Sequence, residues 1–293
     1  MKSFLYKIFI ALSVRNFLNW MPDKMYIRIQ WWFLMPYKLD LKDPKTFNEK
    51  LNWIKLHDRR ELYTQLADKY TVRQYVASKI GEEYLIPLLG KWDTFDDIDF
   101  DTLPDKFVLK CNHRSRDAVV CRDKSKLDIS AVHHNYSKWL KRNFYWEMRE
   151  WAYKNIKSCI IAEELIGDET TMKSPIDYKF SCFNGNADNV MLCVGRETGS
   201  ANYYFFDKEW NLLKYNTGGM DAPEGFTLPK PPKIDEMFKI AETLSEGIPY
   251  ARVDLYYEQD KIYFGEITIY PSAGYDSKIL ISTDELFGKM IIF

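Results

Sequence analysis

RVDLYYEQDKIYFGEITIYPSAG, residues 252–274, decides the fold. Polar and apolar residues alternate on both sides of Glu258-Gln259-Asp260-Lys261, with Val, Ile, Tyr and Phe dominant, and this predicts a β-hairpin with strands over 250–257 and 262–270. Pairing about Asp260 sets Asp254 opposite Glu266 and Arg252 opposite Thr268. Side chains alternate between faces, so Val253, Leu255, Ile267 and Ile269 share one face and Arg252, Asp254, Glu266 and Thr268 the other. Like charges directly across a ladder repel. A hard divalent cation such as Mg²⁺ would remove that penalty, since it takes carboxylate oxygens and bridges phosphates. The competing reading is a solvated face whose acids are offset by Arg252.

Upstream of the hairpin, Thr46-Phe-Asn-Glu49 has the form of a capping box opening a helical region that Gly81 closes. Residues 84–92 read as a short strand carrying Pro87, 106–110 as a buried strand ending in Lys110, 125–153 as helix, and 159–166 as an apolar strand turning acidic at Glu163 and Glu164. Residues 177–183 and 189–194 form a hairpin about Asn184-Gly185, and 202–206 pairs with 212–215. Residues 216–233, rich in Gly and Pro, read as a loop, and 233–246 as an amphipathic helix. Lys110 and Lys179, each on a strand, are compact cations suited to phosphate oxygens. Neither a Walker A sequence nor GxGxxG occurs, which disfavours a P-loop or Rossmann site.

The 293 residues are 46% hydrophobic, enough for two packed cores. A net charge of −1 offers no electrostatic case for a nucleic-acid partner. Five cysteines without a CxxC pair point to reduced thiols in the cytoplasm, used as small core residues. The first 38 residues set Lys2, Lys7, Arg15, Lys24, Arg28 and Lys38 against the single acid Asp23, among many aromatic residues. Their uncharged runs, 8–14 among them, are all too short to span a bilayer. Leu5, Phe9, Leu12 and Asn16 recur at helical spacing. Two readings stay open: an amphipathic helix on an anionic membrane surface, peripheral at the inner face, or a helix docked on the protein's own core.

Taken in order, PKTFNEKLNWIKLHDR (44–59), LADKYTVRQYV (66–76), the stretch 81–113 ending in KFVLKCNH, IIAEELI (160–166), DYKFSCFNG (177–185) and the hairpin itself resemble the ATP-grasp enzymes. The closest likeness is to the polysaccharide-biosynthesis branch called TupA-like, after a teichuronopeptide biosynthesis protein. The resemblance implies an α+β fold with a nucleotide between two lobes. Expected boundaries are a basic aromatic helical segment over 1–43, an N-terminal lobe over 44–105, a small lobe over 106–165 and a C-terminal lobe over 166–293. It further implies ATP and Mg²⁺, with Lys110 and Lys179 at the phosphates and Lys69 near the nucleotide. Glu163, Glu164, Leu165 and Ile166 would form the adenine hinge and Asp168 or Glu169 would lie near the ribose. Asp254, Glu266 and Thr268 would be metal ligands, and Arg252 would steady the transferred phosphoryl group. One departure concerns the phosphate loop, which is glycine-rich in relatives. Here it reads Arg114-Ser115-Arg116-Asp117, so arginine side chains would replace backbone amides.

The implied activity is ATP-dependent joining of a carboxylate to an amine or saccharide acceptor in surface-polysaccharide biosynthesis (capsule, O-antigen or teichuronopeptide-like). A sugar-nucleotide glycosyltransferase and a catalytically weakened assembly scaffold are the alternatives.

Overall fold

The computed structural model describes residues 2–115, 117–167, 175–195 and 201–292. The smaller of two antiparallel sheets takes Leu88–Trp92 (β1), Phe107–Cys111 (β2), Val119–Cys121 (β3) and Ile160–Glu164 (β4), in the spatial order β1-β4-β2-β3. The larger takes Asp177–Phe183 (β5), Asn186–Val194 (β6), Asn202–Phe206 (β7), Leu212–Leu213 (β8), Tyr250–Glu258 (β9) and Lys261–Thr268 (β10), in the order β10-β9-β5-β6-β7-β8. Helices Lys2–Val14 (α1), Asp23–Leu34 (α2), Phe47–His57 (α3), Glu61–Ala67 (α4) and Val72–Ile80 (α5) precede both sheets. Ile129–Trp139 (α6) and Tyr145–Met148 (α7) lie between β3 and β4. Thr217–Asp221 (α8), Ile234–Ser245 (α9) and Ile281–Met290 (α10) complete the α+β arrangement.

Local chemistry explains the element ends. Thr46 Oγ1 accepts from the Glu49 amide at 3.3 Å while Glu49 Oε2 accepts from the Thr46 amide at 3.1 Å, the reciprocal pair read from the sequence. Gly81 ends α5 at φ 112°, a conformation that a Cβ would resist. The strand read over 84–92 is shorter than expected. It begins at Leu88, because Pro87 has no N–H to give a ladder; the Pro87 carbonyl instead accepts from the Glu164 amide at 3.0 Å. The helix read over 125–153 is broken, since the chain leaves α6 at Leu140 and Arg149 is left-handed at φ 55° after α7. Within the loop read over 216–233, Asn216 caps the short α8 through the Gly219 amide.

Among the described residues most of the packing falls in two large cores, with a small third cluster of Trp31, Met35 and Tyr275. Phe180, Val190, Val253, Leu255 and Ile267 of the large sheet pack with Leu51, Ile54, Tyr63 and Val76 of the early helices and with Met237 and Leu244 of α9. Phe107, Leu109, Ile160 and Ala162 pack with Val132 and Tyr136 of α6. The 44–105 segment is thus shared out: its helices lie on the large core, while β1 joins the small sheet. Cys111, Cys121, Cys159 and Cys182 are buried and Cys193 is half-buried.

The N-terminal helices dock on the body. Phe9 meets Tyr26 and Phe33, and the buried Ser13 hydroxyl lies 2.5 Å from that of Tyr26. Phe9 therefore turns inward, while Leu5 and Leu12 remain exposed. Asn16, at φ 65°, lies beyond the helix end at Val14 and does not extend the stripe. Among the described residues no helix is long and apolar enough to cross a membrane.

Candidate active site

Gln259 and Asp260 both have positive φ, as a two-residue hairpin turn of the primed type requires. Lys261 pairs with Glu258, Tyr263 with Tyr256 and Phe264 with Leu255. Continued unchanged, that register would set Asp254 opposite Gly265. The register shifts between Phe264 and Glu266, and the resulting bulge brings Glu266 opposite Asp254 and Thr268 opposite Arg252. Gly265 is the residue that permits this. A Cβ there would sit 2.9 Å from the Asp254 carbonyl oxygen and 3.0 Å from the Tyr256 ring. Val253, Leu255, Ile267 and Ile269 lie in the core, as the alternation predicts.

The opposite face is a closed charge network. Arg252 Nε donates to Asp254 Oδ1 at 2.7 Å, and its Nη2 donates to Asp254 Oδ2 at 2.8 Å, Glu266 Oε1 at 2.9 Å and Thr268 Oγ1 at 3.1 Å. From the next strand Lys179, in register with Asp254, donates to Asp254 Oδ2 and stands 3.3 Å from Asp177. The Asp254 side chain is only 1% exposed and that of Glu266 39%, so the acid at the centre of the network is shielded while its partner reaches water. Burial raises the Asp254 carboxyl against the pull of Arg252 and Lys179, with Glu266 adding repulsion. Burial also opposes ionisation of Glu266, but Arg252, Lys69 and Lys179 outweigh it and draw Glu266 down to about 2. The two carboxyls are thereby driven in opposite directions, as expected of neighbours competing for the same cations.

Lys69 links this face to the rest of the site. Its amide donates to the Asn112 carbonyl at 3.0 Å and its ammonium to the Arg114 carbonyl. Lys110 Nζ donates to Glu163 Oε2 at 2.6 Å, and Arg73 Nη1 to Glu163 Oε1 at 3.0 Å. Lys69, Arg73, Leu85, Lys110 and Glu163 line a cleft with Phe264 and Gly265 of the hairpin. At about 10 Å³ the cleft has room for about one water, because the ion pairs fill it. Glu164 is exposed and Leu165 and Ile166 half-buried, where the chain leaves the small sheet. Asp168, Glu169 and Arg116 lie outside the described residues.

Loop 112–117 differs from the expected arrangement. Asn112 is locked by Asp68, Lys157 and the Cys159 amide, and Asp117 Oδ2 accepts from the Cys111 amide at 2.7 Å. The Arg114 guanidinium is buried against Trp139 and Phe144, 3.9 Å from Glu147, and its Nε and Nη1 have no hydrogen-bond partner among the described residues. Its charge faces the α6–α7 region and not the hairpin. Ser115 is exposed and Tyr153 half-buried. Desolvation and the charges of Glu150 and Glu266 hold the Tyr153 hydroxyl well above its ordinary value, so it stays protonated as a donor.

The sequence reading missed Arg73, Tyr153 and Asp177. Arg73 carried a signal, standing one helical turn after Lys69. Tyr153 carried none, since it belongs to none of the motifs.

Among the described residues there is no group of three or more His, Cys, Asp and Glu able to hold a metal. Asp254, Glu266 and the Thr268 hydroxyl are instead a hard-oxygen set that suits Mg²⁺ sharing its ligands with phosphate. Solved structures with similar folds include D-alanine–D-alanine ligase from Bacillus anthracis complexed with ATP (TM-score 0.47, 14% identity, 78% of this chain and 63% of that one). The ADP complex of N5-carboxyaminoimidazole ribonucleotide synthetase gives 0.46 and 12%, over 76% and 50%. An L-amino acid ligase from Bacillus licheniformis gives 0.45 and 12%, over 87% and 57%. The chain therefore spans half to two thirds of these proteins. No curated protein matches the chain. A family model described as TupA-like ATPgrasp matches residues 49–292, the span that holds both sheets, the cleft and the charged hairpin, and the chain belongs to that family of ATP-grasp proteins.

Proposed function

We propose that the chain is an ATP-dependent ligase that activates a carboxylate and joins it to an amine in surface-polysaccharide assembly. The observation that carries the chemistry is the hairpin network, in which Arg252 and Lys179 hold Asp254 and Glu266 on one face and Lys69 acts on Glu266 from across the cleft. The polysaccharide setting rests on the family.

Asp254, Glu266 and Thr268 would hold Mg²⁺, which when bound neutralises phosphate charge. Lys69, Lys110 and Lys179 are the phosphate contacts, and Arg252 stands where charge on the transferred phosphoryl group develops. Glu163, Glu164, Leu165 and Ile166 are the adenine hinge. Each cation already has an acid or carbonyl partner, so nucleotide entry would exchange these partners for phosphate oxygens. Ser115 and Tyr153 offer hydroxyl donors beside the same phosphates.

The test is ADP release from ATP with candidate uronic acids and amino acids. Release should require both a carboxylate and an amine, and hydroxylamine in place of the amine should give a hydroxamate. Release of a nucleoside diphosphate from a sugar nucleotide, with ATP inert, would replace this reading with glycosyl transfer.

A further inference from the structure

Eight of the eighteen large apolar side chains exposed among the described residues fall within the first 32: Phe4, Leu5, Ile8, Leu12, Phe17, Trp20, Met25 and Trp32. Phe4 is 66% exposed, Phe17 63%, Trp20 73% and Trp32 58%. The helices form an antiparallel pair whose inner faces meet through Tyr6, Phe9, Tyr26 and Phe33. Docking therefore accounts for one face of α1. It leaves Phe4, Ile8 and Leu12, one helical turn apart, on the outside. On α2 a shallow groove of about 520 Å³ is lined by Pro22, Lys24, Met25, Arg28, Ile29 and Trp32.

Charge identifies the occupant. Lys2, Lys7, Arg15, Lys24, Arg28 and Lys38 are all exposed. Asp23, the single acid of the segment, is taken up internally: Arg59 donates to it at 2.8 Å and Tyr145 at 2.6 Å. A second copy of so cationic a face would be repelled. Cations interspersed with Trp, Phe and Leu on short helices match the boundary between anionic headgroups and acyl chains. We propose that α1, α2 and their connection seat the protein on an anionic lipid bilayer.

The pair is fixed to the body, so the seat sets the orientation of the whole molecule. The fully buried Arg149 donates to the Leu18 carbonyl at 2.7 Å, and Tyr26 donates to the Glu147 carbonyl at 2.9 Å. An acceptor presented at a lipid–water interface would then meet the cleft in one defined pose. The seat itself does not depend on the ligase reading.

The full chain is sedimented with vesicles of phosphatidylcholine alone and with vesicles containing phosphatidylglycerol. Binding should need the anionic lipid and weaken with salt. The variant Phe17→Ala/Trp20→Ala/Trp32→Ala should lose it. So should Lys7→Gln/Arg15→Gln/Lys24→Gln/Arg28→Gln, at roughly fivefold in affinity for each cation removed. These side chains are exposed, so unchanged melting temperatures would show that both variants fold. Equal binding to both vesicle types, no binding to either, or retained binding in the folded variants would overturn the proposal. So would concentration-dependent dimerisation that the triple variant abolishes while vesicle binding is absent.

Discussion

The β9–β10 hairpin and the loop at 112–117 both place arginine beside acid, yet the two arginines end differently. Arg252 makes four hydrogen bonds on the site face, whereas Arg114 lies against two aromatic rings with its nearest carboxylate at 3.9 Å. The difference lies in the backbone. A strand paired in fixed register assigns each side chain to a face. A loop closed by Asp68, Asn112 and Asp117 leaves the direction of Arg114 to whatever packs there.

Removing Asp254 breaks the ordered side of this contrast most severely. Asp254→Ala would strand Arg252 and Lys179 as partly unpaired buried cations, so stability should fall by about 3 kcal/mol, and the proposed ATP-dependent turnover by at least about a hundredfold. Glu266→Gln, at a site 39% exposed, should match the loss of turnover with a far smaller drop in melting temperature. Calorimetry and ADP release separate the two. Equal destabilisation by both variants would show that the network does not centre on Asp254.

Gly265→Ala attacks register instead of charge. The added Cβ would press on the Asp254 carbonyl and the Tyr256 ring, and relief requires the bulge to open or slip. The expected cost is about 2 kcal/mol, with turnover falling roughly a hundredfold because Glu266 and Thr268 move off the site. A variant with wild-type turnover would mean that the bulge tolerates a side chain and that register is set elsewhere.

The cleft cluster is intermediate, built on strands but closed by long side chains. If Lys110 exchanges Glu163 for phosphate, Glu163→Gln should tighten ATP severalfold while lowering the stability of the nucleotide-free protein by about 2 kcal/mol, since Glu163 is buried and pairs with both Lys110 and Arg73. Lys110→Met should weaken ATP. Titration calorimetry on both is decisive: weakening by Glu163→Gln as large as that by Lys110→Met would make Glu163 the residue that holds Lys110 in place.

What was legible in the sequence follows the same division. Alternation over 250–270 gave both strands, their core face and the Asp254–Glu266 opposition. The bulge was not read, although its trace is present: core positions run 262, 264, 267, 269, and the parity changes at Gly265. Thr46, Gly81 and Asn184-Gly185 marked their boundaries because each satisfies a local backbone requirement. The break in 125–153 was illegible, since Arg149 adopts φ 55° in a pocket formed by distant Tyr26 and Asp23. Tyr153 and the direction of Arg114 were hidden for the same reason, being settled by contacts between segments far apart in the chain.

Arg114 supplies the smallest expected effect and the sharpest test of the loop. Its carbonyl accepts from Lys69, a contact that survives any side-chain substitution. Its guanidinium is engaged with Trp139, Phe144 and Glu147. Arg114→Ala should therefore remove two cation–π contacts and lower stability by about 1 kcal/mol, while ATP and adenosine affinities change by the same small factor, less than about twofold. Thermal unfolding and paired titrations with the two ligands measure both. A selective loss of ATP affinity would show that the arginine leaves its aromatic seat when phosphate arrives, and the loop would then act through side-chain charge after all.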